Sequence, residues 1–371
     1  MRPPRIKTTV VGSYPVPDWL AAAPSEQALT DATRVVLHTQ EQAGIDLVCD
    51  GELYRFDLNH PETNGMIEYF VRPLQGVRAD IGFSEWLDYS KASGMRFRTR
   101  PPGVVMGPIG AGTLNLPIPC ARAKQLATRP FKFTLTGPHM LAKTLHDRHY
   151  KDPAKLAHAI AGVLADQVKR LDADVVQLDE ANLPGHPEEW KWAAAAINKV
   201  LKAVPKKAKA AVHLCFGNYG GQSIQQGTWT KLMDYLNALD ADHVVMECAH
   251  RPPQELAVFK DLRKDIGFGL GVVDIKRTEV ETADEIARAI ERAEKTLGRG
   301  RVARSRAGRQ GLPGRSPRRR RSRMPCRLPY LRVIVVTACV GLANSASTLS
   351  PAVLMMRPSW NSRLGSRPAF A

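Results

Sequence analysis

The sequence predicts an α/β fold, a (βα)8 TIM-type barrel, and three observations predict it. Short β-rich segments alternate with helical stretches along most of the chain, the pattern of a parallel sheet. The strands are apolar but end on polar or ionisable residues. Seven such units are readable before the composition changes near residue 300, and an eighth is expected after the last helix.

The seven strands are read at Thr8 to Val11, Leu47 to Cys49, Lys132 to Leu135, Val175 to Leu178, Ala211 to Cys215, His243 to Met246 and Gly267 to Val273. Between them, residues 153–171 place Leu156, Ile160, Val163, Leu164, Val168 and Leu171 at helical spacing. Thr282-Ala-Asp-Glu285 reads as a capping box ahead of a buried stripe of Ile286, Ile290, Ala293 and Leu297. Residues 58–120 interrupt the alternation, and their Pro and Gly content predicts an insertion, a hairpin over one end. No internal repeat is present.

The net charge of +17 divides unevenly. From Leu297 to Ala371 there are sixteen Arg and no Asp, Glu, Lys or His, so this tail carries +16 and residues 1–296 carry +1. A nearly neutral body gives no reason to expect a nucleic acid partner. The Arg318 to Arg321 run could be read as a basic arm. Such arms normally use Lys as well, and they do not run into an apolar stretch such as 333–340, which is itself too short to span a bilayer. The reading adopted here is a frame translated out of register. Residues 1–300 then form the catalytic barrel, and 301–371 an atypical tail, disordered or out of frame, with the eighth strand missing or replaced. No N-terminal stretch has the make-up of a signal peptide, and the six cysteines lack framework spacing. A cytoplasmic protein with free thiols and no membrane partner is expected.

In barrels of this kind the chemistry sits at the C-terminal strand ends. Read in order, these are Gly12-Ser13, Asp50-Gly51-Glu52, Thr136-Gly137-Pro138, Asp179-Glu180, His213-x-Cys215, Glu247-Cys248 and Asp274-x-Lys276. Residues two apart on a strand share a face, so His213 and Cys215 can reach one point, with Glu247 closing the next strand. Imidazole, thiolate and carboxylate together suit zinc. A buried histidine beside an inert thiol is the competing reading, and this pattern alone leaves it open. Cys248, next to Glu247, is expected to face the opposite side, in the core.

The motifs Thr9-Val-Val-Gly-Ser-Tyr-Pro15, Asp50-Gly-Glu-Leu-Tyr-Arg-Phe-Asp57, Met66-Ile-Glu-Tyr-Phe70, Leu135-Thr-Gly-Pro138, Gln177-Leu-Asp-Glu180, His213-Leu-Cys215, Met246-Glu247 and Gly271-Val-Val-Asp-Ile-Lys276 occur in this order over residues 8–296. In them the chain resembles the catalytic barrel of the cobalamin-independent methionine synthase family, in its short form. The resemblance implies a zinc-dependent methyltransferase that moves a methyl group to the thiol of homocysteine, forming methionine. It places three zinc ligands at His213, Cys215 and Glu247, and the groups that hold the amino-acid part of homocysteine at Gly12, Ser13, Glu52 and Asp179. Zinc suits the chemistry because the thiolate, not the thiol, is the nucleophile.

The chain departs from the family pattern in three places. The family's fourth ligand is a Cys in a Pro-Asp-Cys-Gly setting, which neither Cys326 nor Cys339 has. Lys276 stands where long members have a histidine that assists proton movement, so Lys276 is the candidate catalytic residue, with donor-binding and structural roles as alternatives. The N-terminal half with which long members help bind folate is absent, which leaves methyltetrahydrofolate and a methylcorrinoid protein both open as donor. Two rival readings are a zinc thiol-alkyltransferase of the coenzyme M and epoxide type, and an inactive barrel remnant.

Overall fold

The structure is a computed structural model that describes residues 6–57, 65–92, 98, 100–217, 223–277, 279–298 and 332–337. Its strands are β1 (Ile6–Val11), β2 (Val48–Cys49), β3 (Gln75–Arg78), β4 (Val104–Gly110), β5 (Phe131–Thr136), β6 (His146–Asp147), β7 (Val175–Glu180), β8 (Lys209–Leu214), β9 (His243–Met246), β10 (Gly267–Gly271) and β11 (Arg332–Thr337). Its helices are α1 (Asp18–Ala22), α2 (Glu26–Gln42), α3 (Glu68–Val71), α4 (Phe83–Ala92), α5 (Pro117–Leu126), α6 (Pro138–Thr144), α7 (Pro153–Val168), α8 (Trp190–Leu201), α9 (Met233–Ala238) and α10 (Ala283–Leu297).

Eight strands form one curled parallel sheet in the order β1-β11-β10-β9-β8-β7-β5-β2. At its two ends Thr9 bridges Leu47, and the Leu47 N–H donates to the Thr8 carbonyl at 3.0 Å. All seven strands expected from the sequence are present, most with bounds shifted by one or two residues, and two of the shifts shorten C-terminal ends. β8 stops at Leu214, so Cys215 lies in the turn beyond it, and β10 stops at Gly271 rather than Val273. The eighth place is filled by β11, which pairs with β1 from Ile6↔Arg332 to Val11↔Thr337 and with β10 at two positions. The start expected near residue 301 lies outside the described residues, as do Cys326 and Cys339.

Local sequence signals explain the helices around the sheet. Asp152 caps α7, accepting from the N–H groups of Ala154 and Lys155, and Pro153 needs no partner at the first helical position. All six residues of the predicted stripe over 153–171 are buried, although Leu171 lies just past the helix end. The capping box of α10 forms as read, between Thr282 and Glu285, and its four stripe residues are buried. The insertion is more elaborate than a hairpin. β3 and β4 pair antiparallel with α4 between them, and β6 adds a parallel third strand, giving a separate sheet β3-β4-β6.

Along β5, Phe131, Phe133 and Leu135 belong to the main hydrophobic core. Lys132, Thr134 and Thr136 alternate with them and make polar contacts with β1, β7 and the residues after β2. The sheet therefore carries a second, polar interior, and the candidate site stands on it.

Candidate active site

The turn after β2 is the most tightly specified part of the site. Gly51 (φ 66°) and Glu52 (φ 60°) are both left-handed, and at Glu52 this conformation costs about 1–2 kcal/mol. A Cβ on Gly51 would stand 2.6 Å from Tyr14 Cβ, and the Gly51 carbonyl accepts from Tyr14 N–H at 2.8 Å. Asp50 stabilises the turn by accepting the Glu52 N–H on Oδ1 at 2.9 Å. The Glu52 carboxylate is thereby aimed at a ring of partners. Ser13 Oγ donates to Oε2 at 2.6 Å, Arg55 Nη1 to the same oxygen at 3.1 Å, and Thr134 Oγ1 to Oε1 at 2.9 Å.

Arg55 is itself fixed on every side. Nη2 donates to Thr134 Oγ1 at 2.9 Å, Nε to the Tyr54 hydroxyl at 3.0 Å, and the guanidinium lies 5.0 Å from the centre of the Phe70 ring. Its side chain and that of Glu52 are 2% and 1% exposed, so this is a buried ion pair whose remaining polar groups are satisfied. Burial opposes the guanidinium's charge, but Glu52, Tyr54 and Asp179 outweigh it and hold its pKa above the ordinary value.

Asp179, at the end of β7, is fixed by Gln177, whose Nε2 donates to Oδ1 at 2.7 Å; Gln177 Oε1 in turn accepts from Lys132 Nζ at 3.1 Å. Burial raises the Asp179 carboxyl to about 7, with Glu52's charge adding to the rise and Arg55's opposing it. Glu180 points elsewhere and accepts from the His139 and Met140 N–H groups at the start of α6.

Asp50 is also raised to about 7, chiefly by burial, while the Glu52 N–H opposes the rise, and its Oδ2 has no hydrogen-bond partner. A carboxyl with a folded pKa near 7 and an unfolded value near 4 stabilises the fold below pH 4, and that stability is lost as pH rises through 7. The Asp50→Asn substitution keeps an Oδ1 acceptor without the charge. Between pH 5 and 7 wild type should lose about 1.4 kcal/mol per pH unit relative to Asp50→Asn, read by urea unfolding across that range. Parallel pH profiles would show that Asp50 does not titrate there.

The metal candidates lie on and just beyond the next two strands past β7, β8 and β9. His213 Nδ1 pairs with the Val245 carbonyl at 3.0 Å, which as a donor–acceptor contact puts the proton on Nδ1 and the lone pair on Nε2. Nε2 is buried with no partner, and burial lowers the ring's pKa to about 4, so the imidazole is neutral. Cys215 is part-buried, and burial, reinforced by Glu247, raises its thiol to about 12. Glu247 Oε2 accepts the Phe216 N–H at 2.8 Å, while Oε1 takes an ion pair from Lys276 Nζ and lies 3.3 Å from His250 Nδ1. Lys276, read as the catalytic candidate, thus sits on one of the candidate metal ligands. Cys248 lines a cavity of about 310 Å³ with Trp229, Phe259, Leu270 and Arg288, against α10.

The ligand atoms of His213, Cys215 and Glu247 do not all lie within 4.8 Å of one another. Among the described residues the trio that meets this distance is His186, Glu188 and Glu189, in the loop after β7. Glu189 of that trio is already engaged by His139 Nε2 at 2.8 Å and by Lys143 Nζ at 2.9 Å, and Glu188 is 69% exposed. Sequence reading missed this loop cluster, whose His-Pro-Glu-Glu run was the available signal. It also missed Arg55, Thr134, Lys132 and Gln177. The polar alternation within apolar strands could have revealed the last three, whereas Arg55 carried no signal beyond its place in a motif.

The comparisons with known proteins bear on the family and the fold. A family model described as "Cobalamin-independent synthase, Catalytic domain" matches residues 6–304. The methionine synthase of Thermococcus kodakarensis is 30% identical over 310 residues, covering 78% of this chain and 82% of that protein. The methionine synthase of Sulfurisphaera tokodaii is 28% identical over 300 residues, covering 76% and 80%. Among solved structures, a B12-independent methionine synthase from Shewanella sp. W3-18-1 superposes with a TM-score of 0.69 at 23% identity, covering 94% of each chain, and supports the fold. With a family match spanning most of its length, the chain belongs to the cobalamin-independent methionine synthase family.

Proposed function

We propose that this chain is a cytoplasmic methyltransferase that forms methionine by moving a methyl group onto the thiol of homocysteine. In this reading residues 1–300 make up the catalytic barrel, and β11 from the 301–371 tail stands in the place of its eighth strand. The observation that carries the substrate assignment is the charge of the polar interior. Among the described residues Asp50, Glu52 and Asp179 stand there with Arg55 and Lys132, and a substrate ammonium beside them would draw the raised Asp179 carboxyl to its charged form. Glu52 and Asp179 pair with that ammonium, and the Gly12–Ser13 turn, left-handed at Gly12 (φ 97°), offers backbone N–H groups to the carboxylate.

Zinc is the cofactor this reading assigns. The test of fit is His213, whose Nε2 is a buried lone pair with no partner among the described residues. Together with Cys215 and the Glu247 carboxylate it makes a donor set of nitrogen, sulfur and oxygen. Zinc bound there would favour the thiolate of the acceptor over its thiol at neutral pH. The chain's own residues do the rest. Val245 fixes the His213 tautomer, and Ser13 and Arg55 hold Glu52 where it meets substrate, so the acceptor sulfur is presented in one orientation. The methyl donor is methyltetrahydrofolate or a methylcorrinoid.

The experiment is a methyl-transfer assay with zinc-loaded protein on two acceptors. Homocysteine should be preferred at least about 100-fold over 3-mercaptopropionate, which lacks the ammonium and would leave the buried carboxylates unpaired. Alkylation of a sulfonate thiol such as coenzyme M, with homocysteine ignored, would transfer the assignment to the epoxide-type thiol-alkyltransferases.

A further inference from the structure

The ion pair between Lys276 and Glu247 has a meaning beyond side-chain packing. Both side chains are nearly buried, at 10% and 7% exposed, so the contact is not the weakly held kind found on a protein surface. The lysine is also anchored from behind. Its N–H donates to Asp274 Oδ1 at 3.0 Å, and the Asp274 N–H is tied to Glu281 Oε1 at 2.7 Å, so the turn that carries Lys276 is fixed against the start of α10.

We propose that Lys276 is a built-in competitor for the metal centre, occupying the Glu247 carboxylate that would complete the ligand set with His213 and Cys215, so that a divalent cation binds only by displacing it. The inference rests on the zinc reading above. Charge supports it. A divalent cation with one thiolate, one carboxylate and a neutral imidazole is neutral as a group, whereas the same group with the ammonium still in contact carries an extra buried positive charge beside the metal. Without metal, Lys276 and Glu247 cancel each other. The lysine thus stabilises the metal-free state and opposes loading. This accounts for the contrast within the site, where the His213 Nε2 is left without a partner while Glu247 is fully engaged.

The test is cobalt binding by the full-length protein, read from the thiolate-to-cobalt and d–d absorption bands with affinity set by chelator competition. Lys276→Met, which keeps the length but not the charge, should bind Co2+ at least tenfold more tightly than wild type. Lys276→Arg, which keeps the charge, should stay within about threefold of wild type. In wild type, saturating Co2+ should raise acylation of the Lys276 amine, read by peptide mass spectrometry, and this readout stands even if Lys276→Met does not fold. Equal affinity in all three proteins with unchanged Lys276 labelling overturns the proposal and leaves the zinc reading intact. No thiolate-to-cobalt band in any of them overturns both.

Discussion

Replacing Arg55 with methionine is expected to lower the unfolding free energy by about 3–5 kcal/mol, among the largest effects available to a single substitution in this chain. Methionine is close in volume and would still pack against Phe70 and Tyr54, so lost contact area is a minor part of the effect. The damage comes from what is left behind. Glu52 keeps only Ser13 and Thr134 as side-chain donors, and Thr134, Tyr54 and Asp179 lose the cation around which they are arranged. Urea unfolding should show a lower midpoint at unchanged slope. The double variant Arg55→Met, Glu52→Gln should recover more than half of the loss, because neither charge is then buried alone. A single-variant cost below about 1 kcal/mol would mean that Glu52 does not depend on this ion pair, and the substrate site would need another account.

The second large effect concerns metal. His213→Ala should lose more metal affinity than the roughly 10–100-fold typical of removing an outer-shell partner, and methionine formation should fall with it. The fold should survive, since among the described residues the one hydrogen bond of the His213 side chain is from Nδ1 to Val245, a contact worth about 1 kcal/mol. Elemental analysis after gel filtration measures the first expectation, and thermal unfolding of the metal-free protein measures the second. Wild-type metal content in His213→Ala would shift attention to the His186, Glu188 and Glu189 loop, where three ligand atoms already stand close together.

What the sequence revealed, and what it hid, follow from the range of the interactions involved. The capping box at Thr282 and the stripe of α10 were legible because both are set by residues three or four apart. The strand ends were legible because a polar residue closing an apolar run is also a local signal. The partners of those ends were not. Lys276 meets Glu247 across 29 positions, so that pairing is decided only when the strands stand side by side, and Arg55, although its charge partner Glu52 is three residues away, is fixed by Thr134 across 79. Cys215 shows the same limit on a smaller scale. Its shared face with His213 assumed that the strand continued, and β8 ends one residue earlier.

The pairing of β1 with β11 sets the order in which this protein can assemble. Ile6 is made 326 residues before its partner Arg332. At about 5–20 residues per second, the interval lasts from roughly a quarter of a minute to a minute. During that time the first strand is held on one side only, by its contacts at Asp46 and Leu47, and its other edge is open to any neighbouring extended chain. Until β11 emerges, that edge of β1 and the facing edge of β10 both stay open.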